Sequence, residues 1–202
     1  MKYPKFFDEI EPIILKDELS AFLGTFEDGI VEFNYIDVVK SAGHSCPTIA
    51  GAYISTKEAL KRLYKDELPK RGDIRVDLKE SQTQGVTGVI AQVITNITGA
   101  TSDFGFKGIN GKFNRTNLLF FSQKIEAELK FTRLDTKESV EVSYNPNSIK
   151  PSPKQVELFQ KVVQNLATAE ELKEFGRLWQ ERVEKIFKNV ESVLTIRWLK
   201  SI

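Results

Sequence analysis

The sequence contains a single histidine and a single cysteine, and only one residue separates them. They are His44 and Cys46, with Ser45 in between. An imidazole nitrogen and a thiolate sulfur are ligands that zinc and other late first-row divalent metals prefer, whereas magnesium and calcium prefer oxygen ligands. The pair therefore predicts a site for zinc or another late first-row divalent metal.

Two protein ligands do not complete a zinc site, because catalytic zinc keeps three and structural zinc keeps four. The carboxylates of Asp37, Glu80 and Asp103 are the candidates for a third ligand. A water molecule or a second copy of the chain could also supply the missing ligand, and we expect a homodimer. A three-ligand site with an open position would activate a water molecule or bind a small substrate.

Two other interpretations of the pair stay open. Cys46 comes directly before a predicted helix, where unpaired backbone amides and the helix dipole favour the thiolate form. It could then be the nucleophile of a thiol enzyme, with His44 as an activating neighbour. In the third interpretation the cysteine is a small apolar residue and the protein is a non-catalytic binding module with a small-molecule ligand. None of the three specifies a substrate or a reaction.

Composition narrows the class of protein. The 202 residues carry 29 basic and 28 acidic side chains, a formal net charge of +1, so there is no electrostatic reason to expect nucleic acid or an anionic membrane as partner. Polar or charged residues interrupt every apolar run before it reaches transmembrane length, and residues 1–11 do not resemble a signal peptide. One cysteine cannot form an internal disulfide and fits a reducing compartment, so we expect a cytoplasmic protein.

The elements around the pair are predicted from local signals. Residues 35–42 read as a short helix that ends at Gly43, a residue typical of helix ends. A second helix is expected from Pro47, which needs no amide donor at a first helical position, to about Tyr64. Residues 73–79 alternate between polar and apolar side chains and predict a strand. Residues 86–97 are long, apolar and without alternation, which favours a buried helix.

The remaining elements complete an α+β protein. We expect an amphipathic helix over residues 8–23 and a proline-rich linker over residues 145–153. Three strands are also predicted, over residues 117–122, 125–133 and 139–144. Two C-terminal helices are expected within residues 154–188, and an edge strand over residues 193–199. The expected division is an α+β domain over residues 1–146 and a helical extension over residues 147–202, packed on the same domain or on a dimer partner.

One motif resembles a known family. Gly43-His44-Ser45-Cys46-Pro47, followed by Gly51, is similar to the Gly-His-x-Cys-Pro signature of the E-subunit family of formylmethanofuran dehydrogenase. The resemblance extends over about residues 35–132 and includes Thr98-Gly99-Ala100-Thr101, where the family tends to have Thr-Gly-Cys-Thr. It implies a helix-strand-helix-three-strand core similar to the C-terminal domain of glyceraldehyde-3-phosphate dehydrogenase.

The resemblance also implies roles for the two residues. Members typically bind a metal, often zinc, through the His and Cys of the signature, which are His44 and Cys46 here. The family commonly has a Cys-x-x-Asp on the helix that corresponds to residues 86–97, and this chain has Val89 and Gln92 at those positions. Its later cysteine is Ala100 in this chain, so the site implied here is reduced.

Overall fold

The computed structural model describes residues 1–199, and its N-terminal part differs from the sequence prediction. The helix expected over residues 8–23 does not form. Strand β1 (Ile13–Lys16) and the short helix α1 (Glu18–Phe22) occupy most of that stretch, and β1 pairs antiparallel with strand β2 (Ile30–Phe33).

Side-chain burial explains the correction. Ile13 and Leu15 are buried, whereas Ile14 and Lys16 are exposed, which is the two-residue period of a strand and not the period of a helix. Asp17 then ends the strand, since its carboxylate accepts hydrogen bonds from the first amides of α1. Pairing with β2 therefore determines that this stretch forms a strand, although its apolar residues also recur at helical spacing.

The helices that flank the His–Cys motif are confirmed. Helix α2 (Tyr35–Ala42) ends at Gly43 in the left-handed conformation, with φ of 79°. Helix α3 (Pro47–Tyr64) begins at the proline, as expected, and most of its side chains are buried. It packs on strands of the main sheet, on the next helix α4 (Thr87–Thr98) and on a C-terminal helix. The prediction of a helix over residues 86–97 is confirmed, although only one face of α4 is buried.

The main sheet has five strands in the order β4-β3-β5-β6-β7, and only the β3–β4 pair is parallel. The strands are β3 (Ile74–Leu78), β4 (Leu119–Phe120), β5 (Leu129–Arg133), β6 (Ser139–Tyr144) and β7 (Leu194–Leu199). The three strands predicted before residue 145 all occur, although β4 has only two residues. The α+β class is confirmed.

One face of this sheet is apolar and lies under the helices. Val76, Phe131 and Val140 form a cross-strand row on that face and are fully buried. The opposite face carries polar side chains such as Lys130 and Glu141, which also lie across from each other. The core therefore consists of one layer of helices on a mostly antiparallel sheet.

The C-terminal part packs on the same core. Helix α5 (Pro153–Val163) and helix α6 (Ala169–Lys188) form a pair, and a single turn, α7 (Val190–Val193), leads into β7 at the sheet edge. Thr168 and Glu171 form a capping box that begins α6. The division at residue 146 stays a prediction, and residues 200–202 of the expected extension lie outside the described residues.

In the part of the chain that the structure describes, no helix combines the length and the apolar character needed to cross a membrane.

Candidate metal and thiol site

The His–Cys motif lies in a bend between two helices. Gly43 adopts a left-handed conformation after α2, and Cys46 is extended, with φ of −151° and ψ of 170°, just before α3 begins at Pro47. His44 and Ser45 therefore belong to neither helix. A backbone outside regular helix or strand is what two ligands separated by one residue need in order to approach a common point.

The histidine side chain is exposed, and its ring is oriented by a nearby carbonyl. His44 Nδ1 lies 3.1 Å from the backbone oxygen of Ala42. In the tautomer that donates this hydrogen bond, Nδ1 carries the proton and Nε2 has a free lone pair. Carbonyl groups often orient metal-binding imidazoles in this way.

The cysteine is a free, partly exposed thiol. Cys46 occupies the capping position of α3, but its side chain accepts no hydrogen bond from the helix amides. It also packs against the edge of the apolar core. The fold therefore uses the apolar body of this residue and leaves its sulfur available for other chemistry.

The residue between them is held firmly by distant side chains. The hydroxyls of Ser45 and Tyr35 are hydrogen-bonded at 2.9 Å in the interior. The backbone carbonyl of Ser45 accepts two hydrogen bonds, from Trp179 Nε1 and Gln180 Nε2, each at 3.1 Å. Sequence reasoning missed both α6 residues as parts of the site. The one available signal is that a buried indole N–H needs an acceptor.

Two tyrosines lie close to the thiol. Burial raises the pKa of Tyr35 and of Tyr144 well above the usual range, and the negative charge of a Cys46 thiolate adds to the increase for both. The Tyr144 hydroxyl donates a hydrogen bond of 2.7 Å to the carbonyl oxygen of Pro47. Both phenols therefore stay neutral at physiological pH and position the backbone around Cys46.

The three carboxylates proposed as a third ligand do not join the pair. The carboxylate of Asp37 accepts a hydrogen bond of 3.1 Å from the backbone amide of Asn34, in a capping box at the start of α2. Asp103 is exposed and accepts a hydrogen bond from Ser102, and Glu80 lines a cavity whose lining includes neither His44 nor Cys46. Within residues 1–199, no three His, Cys, Asp or Glu side chains form a group that could hold a metal ion.

Helix α4 offers no side chain that could replace the missing metal ligands. Val89 and Gln92 lie on the exposed side of α4, and Ala100 is fully buried. The donor types of His44 and Cys46 fit zinc, but residues 1–199 of one chain supply an incomplete set of ligands. The two residues therefore fit a zinc ion only in a site that ligands from outside the described chain complete.

A family model described as FmdE, Molybdenum formylmethanofuran dehydrogenase operon, matches residues 42–196. The match covers well over half of the 202 residues and includes the His–Cys motif, α3, α4, the main sheet and most of the C-terminal part. A comparison with curated proteins gave no match. From the extent of the family match, the chain belongs to the FmdE family, the same formylmethanofuran dehydrogenase family that its Gly43–Pro47 motif resembles.

Proposed function

We propose that this FmdE-family protein binds zinc or another late first-row divalent metal through His44 and Cys46, in a site completed by a second copy of the chain. The observation that supports this most directly is the state of the two side chains. His44 is exposed, with Nδ1 beside the Ala42 carbonyl, and the Cys46 sulfur caps no helix amide. Both donors are thus available on one anchored bend.

The rest of the chain acts as a support for these two ligands. Tyr35, Trp179 and Gln180 fix the position of Ser45, so both neighbours of Ser45 leave the backbone at defined points. A rigid surrounding shell lowers the entropy cost of bringing ligands together. When bound, the metal would supply Lewis-acid chemistry or an activated water molecule at an open position.

A homodimer would explain where the missing ligands come from. The C-terminal helix pair exposes large apolar side chains, which is uncommon on a surface that meets only water. They are Val156, Phe159, Val163, Leu166 and Leu172. A reducing compartment such as the cytoplasm would keep Cys46 as the thiol that metal binding needs.

The test is zinc content per chain after dialysis against zinc and then against metal-free buffer, for protein purified without a histidine tag. We expect stoichiometric zinc in the wild type, and little in His44→Ala or Cys46→Ser. Ser41→Ala, an exposed change in the last turn of α2, is the control and should keep its zinc. Equal zinc in all four proteins, or none in the wild type, would remove the proposal.

A second candidate is thiol catalysis by Cys46. It is favoured by the position of the free thiol at the start of an 18-residue helix, where the dipole stabilises negative charge. Rapid alkylation of Cys46 by iodoacetamide near neutral pH in metal-free protein supports this candidate. A rate no faster than that of free cysteine excludes it.

A further inference from the structure

A cavity of about 300 Å³ opens beside the His–Cys bend, between the start of α3, the start of α4 and the sheet. Its walls are mainly apolar. Pro47 and Ala52 of α3, Val86 and Ile90 at α4, and Leu78 and Leu129 of the sheet contribute to them. A mainly apolar, concave site of this size suits a small organic ligand.

The charged groups of the lining all have one sign. Glu80 and Glu128 line the cavity, and its described lining includes no Lys, Arg or His. Glu80 is partly buried, and neither glutamate forms an ion pair within residues 1–199. One carboxylate oxygen of Glu128 accepts the amide of Tyr144 at 3.0 Å. The uncompensated carboxylates favour a cationic ligand.

Nearby positive groups do not reverse this preference. Arg182 lies outside the lining and donates to the carbonyl of Ile149 at 2.7 Å. Helix α3 begins at Pro47, which has no amide hydrogen. At the start of α4, the Thr87 amide already donates a hydrogen bond of 3.1 Å to the backbone carbonyl of Gln84. Each helix start therefore offers an anion fewer free donors than usual.

Tyr144 adds an aromatic wall. Its hydroxyl is committed to Pro47, and its ring packs so closely on α3 that a side chain at Gly51 would collide with it. An aromatic ring attracts a cation. We propose that this cavity binds a small organic cation, a protonated amine attached to an apolar body.

The proposal goes beyond metal binding and does not depend on it. Because Pro47 directly follows Cys46, a ligand in the cavity would lie next to the bend that carries the thiol. The cavity would then select which ligand lies next to His44 and Cys46, whether the site binds a metal or uses the thiol.

The test uses three probes of similar shape and different charge: benzylamine, benzyl alcohol and benzoate. Each is titrated into the full chain at neutral pH with a chelator present, and backbone amide shifts are followed by NMR. We expect saturable shifts at Ala52, Thr87 and Ile90, with benzylamine the tightest and benzoate the weakest. Absence of shifts at the cavity, equal affinities, or tighter benzoate would overturn the proposal.

Two variants separate charge from shape. Glu80→Gln should weaken benzylamine roughly three- to fivefold, as expected for one partly exposed ion pair, and leave benzyl alcohol unchanged. Glu126→Gln removes an exposed carboxylate outside the cavity and is the matched control, with no change expected. An equal loss of benzylamine affinity in both variants, or no loss in Glu80→Gln, would contradict the assignment.

Discussion

The indole N–H of Trp179 donates a hydrogen bond of 3.1 Å to the backbone carbonyl of Ser45, the residue between His44 and Cys46. Gln180 donates to the same oxygen. Helix α6 therefore does more than cover α3, since it determines the position of the backbone that carries both candidate ligands.

Trp179→Phe should loosen this bend without unfolding the protein. The change removes one of two donors to the Ser45 carbonyl, which should cost about 1 kcal/mol of stability. We expect at least twofold faster alkylation of Cys46, measured with a thiol reagent. Trp198→Phe, the same change on β7, is the control. Equal rates in the wild type and both variants would show that Trp179 does not restrain the site.

Gly51→Ala should destabilise the protein by about 1–3 kcal/mol, because the new methyl group collides with the Tyr144 ring in a packed interface. The free energy of unfolding in urea measures this. Gly176→Ala is the matched control: it also lies in a helix, with open space where a Cβ would be, and should gain up to about 1 kcal/mol. A neutral Gly51→Ala would mean that Tyr144 moves freely and is not fixed by Pro47.

Asp17 should make stability depend on acid pH. Burial opposes its ionised form, but hydrogen bonds and charges from Arg71 and Arg115 outweigh burial and lower its pKa. The folded state therefore releases this proton more readily than the unfolded state. Its contribution to stability is complete above the usual aspartate pKa of about 4 and is lost as pH falls from there through the folded-state value.

Asp17→Asn should remove that part of the pH dependence and cost about 3–5 kcal/mol near neutral pH, because it leaves the buried Arg115 without its partner. Urea unfolding at several pH values below 5 would measure both effects. Asp103→Asn, an exposed aspartate, should behave like the wild type. Parallel stability curves for the wild type and Asp17→Asn would contradict the prediction.

Truncation after Pro151 should give an aggregating protein. It removes Val183 and Ile186, which are buried in the core cluster, and it removes β7 from the edge of β6. Both an apolar face and an unpaired strand edge would then meet solvent. Size-exclusion chromatography and circular dichroism provide the measurement. A monomeric, cooperatively unfolding fragment would show that residues 1–151 fold independently.

Local signals predicted the elements around the site because each signal fixes a backbone conformation by itself. For this reason Gly43 correctly marks the end of α2, and Pro47 correctly marks the start of α3. The N-terminal strand was missed because pairing with β2 depends on a segment beyond α1. The likeness of the core to the C-terminal domain of glyceraldehyde-3-phosphate dehydrogenase stays a prediction.

His44 and Cys46 were identified as candidate ligands from their residue types and their spacing alone, and their roles stay predictions. The donors from α6 could not be found in this way, because a long-range hydrogen bond leaves no periodic pattern in the sequence. Zinc binding stays a prediction that the measurement of metal content tests.

The hydrogen bond between Trp179 and Ser45 spans 134 positions of the chain, and this separation has a consequence for biosynthesis. Proteins emerge from the ribosome N-terminus first, and the early segments begin to fold while later ones are still being made. His44 and Cys46 therefore leave the exit tunnel long before the helix that restrains them exists. During that interval the nascent chain presents a thiol on an unsupported bend, so oxidation of Cys46 can precede completion of the fold.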